Sequence, residues 1–454
     1  MAEPNQLITE PIPKLVRQIA IPASIGFFFN TMYNVVDTYF AGLISTQALA
    51  SLSLSLPVFF IIIATGMGVS TGATALIANA LGAGKREEAR LYAVQAISFG
   101  ILTALALTVL GLLISPFLFR VLGATGEYLS TVLDYMNTLF LGTVFFMVLY
   151  MLNAILNGQG ETKPFRNFLI VGFFLNIGLD PWFLYGGLGV PAMGVVGIAL
   201  ATLVAQGVGC VYLAHKVLQT GLVSRHDLAN ALPRLEPFKE IARQGLPASV
   251  NMLTVGMGIF VITYFVSLFG KEAVAAYGSA MRIEQMALVP TIGLNIATLT
   301  LVAQNNGARL FHRVQEVLKT SLVYGAIVIA LGAVAILIGA KQFMAFFTDD
   351  GAVLTIGATY LMIDALALYA YVILFVNVAA LQGMKRPMFG LWIGLYRQIV
   401  APFIVFWFLT KILGVGLLGI WWGVLAITWS AAVYSFFYTR RMLKKVSYPG
   451  DLSS

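Results

Sequence analysis

The chain has 454 residues, 59% of them hydrophobic and only 10% charged, which leaves too little polar surface to wrap a soluble core of this length. Its single cysteine, Cys210, excludes an intrachain disulfide, and His215, His226 and His312 fall in or beside predicted loops, which sets aside zinc sites and nucleophilic triads. The net charge of +8 does not imply nucleic acid, because the basic residues lie in loops between apolar runs, where a topological bias accounts for them.

The polar start "MAEPNQLITEPIPKL" has no basic segment followed by a cleavage site, so no signal peptide is expected and the first apolar run serves as the insertion signal. From there, runs of about 20 apolar residues recur, each long enough to cross a bilayer. They are too long and too uniformly apolar for alternating strands, so an all-α integral membrane protein is expected. Twelve spans are predicted, centred near residues 30, 64, 104, 143, 176, 206, 256, 290, 327, 368, 400 and 430. Span 1 carries Pro22, Tyr33 and Asp37; span 2 contains "GMGVSTG" (66–72), which lacks the Gly-Lys-Ser/Thr ending of a phosphate loop and reads as close helix packing. Asn153 falls in span 4, Asn176, Asp180 and Pro181 in span 5, and Thr202 in span 6. The stretch 218–240, with Pro233 and Pro237, is the longest polar segment and reads as a cytoplasmic linker. Beyond it come Arg282 and Glu284 in span 8, Asp364 in span 10 and Arg397 in span 11.

Loop charge sets the orientation. One side receives Lys14, Arg17, "GKREEAR" (84–90), Lys163, Arg166, the connector, Arg309, Arg313, Lys319, Lys385, Arg386 and "RRMLKK" (440–445); the other receives Arg120, Lys271, Lys341 and Lys411. The basic side is cytoplasmic by the positive-inside bias, so both termini are expected inside a multi-pass cell (inner) membrane protein. The halves also repeat. "RQIAIPAS" (17–24) returns as "RQGLPAS" (243–249), "LIANALGAG" (76–84) as "LVAQNNGAR" (301–309), "LNG" (156–158) as "LQG" (381–383) and "LGVPAMG" (188–194) as "LGVGLLG" (413–419), all offset by about 225 residues. Six spans per half relate the halves by an axis along the membrane normal. The expected division is residues 1–217, a linker at 218–240, and residues 241–454.

In the first half the ionisable residues read as lying within spans are Asp37 and Asp180, with no Lys or Arg beside them. Tyr33 precedes Asp37 by four residues and Asn176 precedes Asp180 by four, which places each pair on one helix face. A buried carboxylate resists ionisation, and a second one nearby strengthens that resistance, so the pair is suited to holding a proton. The same oxygens, with Asn176 and Thr202, also suit a small hard cation such as sodium. Polar glue between helices is the bland reading; Asn or Ser would serve that purpose at lower cost in a bilayer. In the second half Arg282, Glu284, Asp364 and Arg397 carry both signs and read as a charge-compensating network. No nucleotide-binding motif is present, so energy for uphill transport would come from an ion gradient.

With these residues in view, the chain resembles the multidrug and toxic compound extrusion (MATE) transporters. The resemblance covers all twelve spans and is carried by "IPASIGFFFNTMYNVVDTYFAGL" (21–43), "LNAILNGQGETKP" (152–164) and "LNIGLDPWFLYGGLGVPAMGVVGIALAT" (175–202). These segments are similar to the branch that includes the DNA-damage-inducible F (DinF-like) proteins. The resemblance implies two six-helix lobes in a V around a central cleft, and antiport of protons or sodium against cationic or amphiphilic drugs. It implies ion coupling at Asp37, Asn176, Asp180 and Thr202, cavity lining by Tyr33 and Asn153, and bending of span 1 at Pro22. A sibling branch is associated with acids in spans 7 and 10; here the span between Arg243 and Lys271 has no carboxylate and Asp364 is read as early in span 10, so coupling is placed in the first half. A monomer with no cofactor is expected, its partners being small-molecule drugs and the bilayer. Two rivals stand beside drug efflux: a flippase for a lipid-linked amphiphile, for which only Arg282 and Arg397 offer basic contacts, and an intramembrane enzyme, against which the histidine positions argue.

Overall fold

The computed structural model describes residues 5–187, 189–224, 227 and 231–447. Among the described residues ten helices are long and apolar enough to cross a membrane, and up to twelve spans result when each of two sharply bent helix pairs counts as one. In the first half these are span 1 (Ile12–Ile44), span 2 (Thr46–Gly82), span 3 (Arg86–Val121), span 4 (Gly126–Leu141 and Thr143–Gly158), span 5 (Lys163–Tyr185) and span 6 (Val195–Gln219). In the second they are span 7 (Leu235–Ser267), span 8 (Lys271–Gly307), span 9 (Phe311–Ala345), span 10 (Gly351–Asp364 and Leu368–Gly383), span 11 (Met388–Ile412) and span 12 (Leu417–Ser447). Among the described residues the β pairing is confined to an isolated bridge between Gly187 and Val190. The most apolar helices, spans 3 and 9, are also the least buried, the reverse of a water-soluble fold and the arrangement hydrocarbon requires.

The repeat holds in the helix boundaries. Thr46–Gly82 matches Lys271–Gly307, and Thr143–Gly158 matches Leu368–Gly383, at the offset of about 225 residues found in the sequence. Both bent pairs fall at the same place in the repeat, with angles of 44° and 51°. The inner turns repeat as well. After spans 2 and 8 the chain turns through a left-handed residue, Gly84 (φ +73°) or Arg309 (φ +58°); after spans 4 and 10 it turns through Gly160 (φ +80°) or Lys385 (φ +59°). Each turn closes with the same backbone bond, such as Lys85 N–H to Ala80 O at 2.9 Å and Leu310 N–H to Asn305 O at 2.8 Å.

Contacts divide the chain into two compact units, one comprising Ile25–Ser249, the other comprising the residues up to Ser24 together with those from Val250 onward. This differs from the expected division at 1–217 and 241–454, because the first halves of spans 1 and 7 each pack into the unit of the other half. Ile12, Leu15, Val16 and Ile19 belong to the core that holds Ala297 and Leu301 of span 8. Ile241 of span 7 packs with Val69, Ala73 and Leu76 of span 2. Lipid gives helices no hydrophobic reason to associate, so these contacts depend on close approach. A methyl group added at Gly68 would meet the backbone of Ser249, and one at Gly293 would meet Ser24 and the Ala20 carbonyl. Ser249 Oγ donates to Thr65 O at 3.1 Å, and its repeat counterpart Ser24 Oγ donates to Pro290 O at 3.2 Å.

The stretch read as a linker, 218–240, is partly helix: span 6 runs to Gln219 and span 7 starts at Leu235. Described residues on both sides of this connection are fastened to span 3. Arg86 donates to Gly221 O at 2.9 Å, Arg90 to Leu222 O at 3.2 Å and Ser98 to Ala231 O at 2.6 Å. Gln95 brackets the strap, donating to Leu232 O at 2.9 Å and accepting from Arg234 N–H at 2.8 Å. His226 lies outside the described residues.

Candidate functional site: buried carboxylates in each unit

Span 5 presents Asn176 and Asp180 one turn apart, both with no exposed surface, and Asn176 Nδ2 donates to Asp180 Oδ1 at 3.0 Å. Span 1 brings Asp37 against Asn176, Asp180 and Thr202, so the two carboxylates that are remote in sequence share one pocket. Thr202 Oγ1 on span 6 lies 3.5 Å from Asp37 Oδ2 and also donates to its own helix at Ile198 O, 3.2 Å away. The Tyr33 hydroxyl, one turn before Asp37, faces Thr202 and both carboxylates. Four buried oxygens here have no hydrogen-bond partner: Tyr33 OH, Asp37 Oδ1, Asn176 Oδ1 and Asp180 Oδ2. Unsatisfied polar atoms in a membrane interior are costly, and a proton shared between the two facing carboxylates would satisfy part of this cluster. The ion pairs among the described residues all join groups near helix ends or in the strap, and none reaches Asp37 or Asp180.

Asn153 is buried on the second helix of span 4, with its Oδ1 also unpartnered. Pro22 is buried in the first half of span 1, where its missing N–H removes the bond to the Gln18 carbonyl, yet the helix runs through it from Ile12 to Ile44. Two groups escaped the sequence reading. Tyr135 of span 4 is buried and faces Asp37 and Asp180; Asp134 beside it is exposed, and adds a carboxylate to a helix taken to have none.

The second unit has its own polar pocket. Tyr360 donates its hydroxyl to Glu284 Oε2 at 2.6 Å, and the Arg397 guanidinium lies 5.3 Å from the centre of the Tyr371 ring. These residues line a cavity of about 140 Å³ with Tyr277, Gln398 and Thr428. Asp364, read from sequence as early in span 10, ends the first helix of the bent pair, at the break itself. It is 3% exposed, and neither carboxylate oxygen has a partner. Arg282, expected in the same network, is exposed and two residues from Glu284, so it projects from a different face of span 8 and stays apart. Tyr135 and Tyr360 occupy equivalent places in the repeat, whereas the counterparts of Asp37 and Thr202 are Ile262 and Ile427. The two pockets therefore share a position and differ in chemistry.

A membrane bundle repeated once along the chain, with its ionisable groups gathered in an interior pocket of each repeat, defines a polytopic transporter. The MatE family model matches residues 22–182 and 247–408, most of both halves, and the chain belongs to that family of MATE transporters. It is 27% identical over 434 residues to a "Probable multidrug resistance protein NorM" of Thermotoga maritima, covering 93% of this chain and 91% of that one. An "FAD transporter" of Shewanella oneidensis is 25% identical, with 88% of each chain covered. Among solved structures, a MOP superfamily transporter from Pyrococcus furiosus matches with a TM-score of 0.91 at 26% identity, covering 98% of this chain and 99% of that one. These relatives are membrane transporters rather than enzymes.

Proposed function

We propose that this protein exports cationic or amphiphilic drugs by antiport, with protons entering through the pocket of Asp37, Asn176, Asp180 and Thr202. The observation that carries the reading is the meeting of two carboxylates from spans 1 and 5, with no Lys or Arg among the described residues paired to them. A proton reaching either carboxylate from outside removes charge, rearranges the hydrogen bonds of Asn176 and Thr202, and lowers the affinity of the pocket side for a bound cation. Release of that proton to the cytoplasm restores the negative pocket for the next drug. The multidrug resistance relative supports the choice of cargo. Both termini face the cytoplasm of the cell membrane in this scheme, and the monomer is the working unit.

Sodium is the second reading, favoured by the hard oxygen set of Tyr33, Asp37, Asn176 and Asp180, whose unpartnered atoms would serve as ligands. The two are separated in proteoliposomes by following efflux of a fluorescent organic cation under an imposed pH or sodium gradient. Drive by pH alone, reduced at least tenfold in Asp37→Asn and in Asp180→Asn with unchanged yield, is expected. Undiminished pH-driven efflux in both variants refutes the coupling role; drive by sodium alone transfers the same oxygens to a cation cage. Transport of neither kind, with movement of a lipid-linked amphiphile or an anionic dinucleotide, gives precedence to a flippase or to cargo like that of the flavin-transporting relative.

A further inference from the structure

The pocket lined by Glu284, Tyr360 and Arg397 contains a mismatch. Asp364 has two buried acceptor oxygens with no donor. Arg397, whose planar fork carries five N–H donors, rests on the face of Tyr371 and forms no ion pair within 4.0 Å among the described residues. Glu284 is held by Tyr360. Asp364 does not line the cavity itself but lies close enough for its carboxylate to feel the charges of Glu284 and Arg397, yet neither it nor Arg397 has the partner its chemistry favours.

Two further observations make the mismatch adjustable. Arg397 lies on a π-helical turn, Tyr396–Val400, whereas the matching part of span 5 is continuous α-helix. A π turn carries one extra residue, and shifting it along a helix redirects the side chains on it. Asp364 sits at the break of the bent pair, where the helix ends and the next begins at Leu368. The cavity of about 140 Å³ leaves the guanidinium room to move. The repeat counterparts of Glu284, Asp364 and Arg397 are Phe59, Leu139 and Gly172, so all three charges are confined to this unit.

We propose that Arg397 is the resident cation of this pocket. Its guanidinium moves between the face of Tyr371 and the carboxylates of Asp364 and Glu284, so the pocket neutralises itself and takes up no alkali metal ion. On this account the charged groups of the second unit form a switch that is complete without a bound ion, whatever ion the Asp37 pocket uses.

Thermal denaturation of the full-length protein in detergent, in sodium chloride against choline chloride, tests this, with Asp37→Asn/Asp180→Asn as the background so that both carboxylates of the other pocket are removed. The background chain is expected to melt alike in both salts. Adding Arg397→Gln is expected to create a saturable sodium-specific rise of about 3 °C, because a ligand held only by the folded state raises its melting temperature. Adding Asp364→Asn as well should abolish that rise. A sodium-specific shift in the background chain that Asp364→Asn removes overturns the proposal, as does a well-folded Arg397→Gln chain that ignores sodium. If Arg397→Gln is too unstable to purify, the Arg397→Gln/Asp364→Asn pair should recover the yield; failure to recover it refutes the counter-ion role.

Discussion

At the residue scale, the strongest constraints come from what is absent at glycine. Gly68 and Gly293 occupy equivalent places in the repeat, and each lets a serine-bearing helix approach its own backbone. Gly68→Ala and Gly293→Ala are therefore expected to destabilise the protein by about 1–3 kcal/mol each, seen as lower melting temperatures, while Gly42→Ala, inside span 1 and meeting nothing within 4 Å, should not lower melting and should raise it slightly through helix propensity. The opposite sign is expected at the left-handed turns. Arg309 and Lys385 adopt φ near +60° where the first half has Gly84 and Gly160, a conformation that costs a side chain about 1–2 kcal/mol. Arg309→Gly and Lys385→Gly should raise stability by about 1 kcal/mol; a fall in either would mean that the charge itself holds the turn. Asp37 and Asp180 were legible from sequence because a carboxylate in a bilayer is conspicuous. Tyr135 was not, since it is one of 18 tyrosines and nothing local separates a buried hydroxyl facing an acid from one facing lipid.

At the element scale, the spans were legible because one bilayer crossing sets one run length, and the repeat because four short strings kept a constant offset. The bent pairs were hidden inside apolar runs that look continuous, which is why Asp364 was read as early in span 10 with no sign that a break follows it. The packing of the first halves of spans 1 and 7 was also hidden: both carry a Pro-Ala-Ser string, and the sequence does not state which helix receives it. The receiving groups are the carbonyls of Pro290 and Thr65, each accepting a serine hydroxyl. Pro22 and Pro247, just before these serines, each remove one intrahelical bond, so the serine bond is an external support beside a weakened turn. Ser24→Ala and Ser249→Ala should each lower stability by about 1 kcal/mol. Equal melting of the variants and wild type would show that the glycine contacts alone position both helices.

At the scale of the whole molecule, unequal loop charge predicts the orientation, through its effect on insertion rather than on packing. Twelve crossings would place both termini on one side, and the positive-inside bias predicts that the side richest in Lys and Arg is the cytoplasmic one. The turns after spans 2 and 10 supply Lys85 and Lys385, whereas the turn before span 8 and the end of span 11 supply Lys271 and Lys411; all four are exposed. A Cys210→Ala chain therefore offers a clean background for single cysteines, since Cys210 is the sole native thiol. Lys85→Cys and Lys385→Cys should react with a membrane-impermeant maleimide only after the cells are opened. Lys271→Cys and Lys411→Cys should react in intact cells. The reverse pattern would invert the protein and, with it, the side from which Asp37 and Asp180 receive their proton. A mixed pattern, with Lys385→Cys labelled from outside and Lys85→Cys from inside, would mean that one of the bent pairs enters and leaves the membrane on the same side.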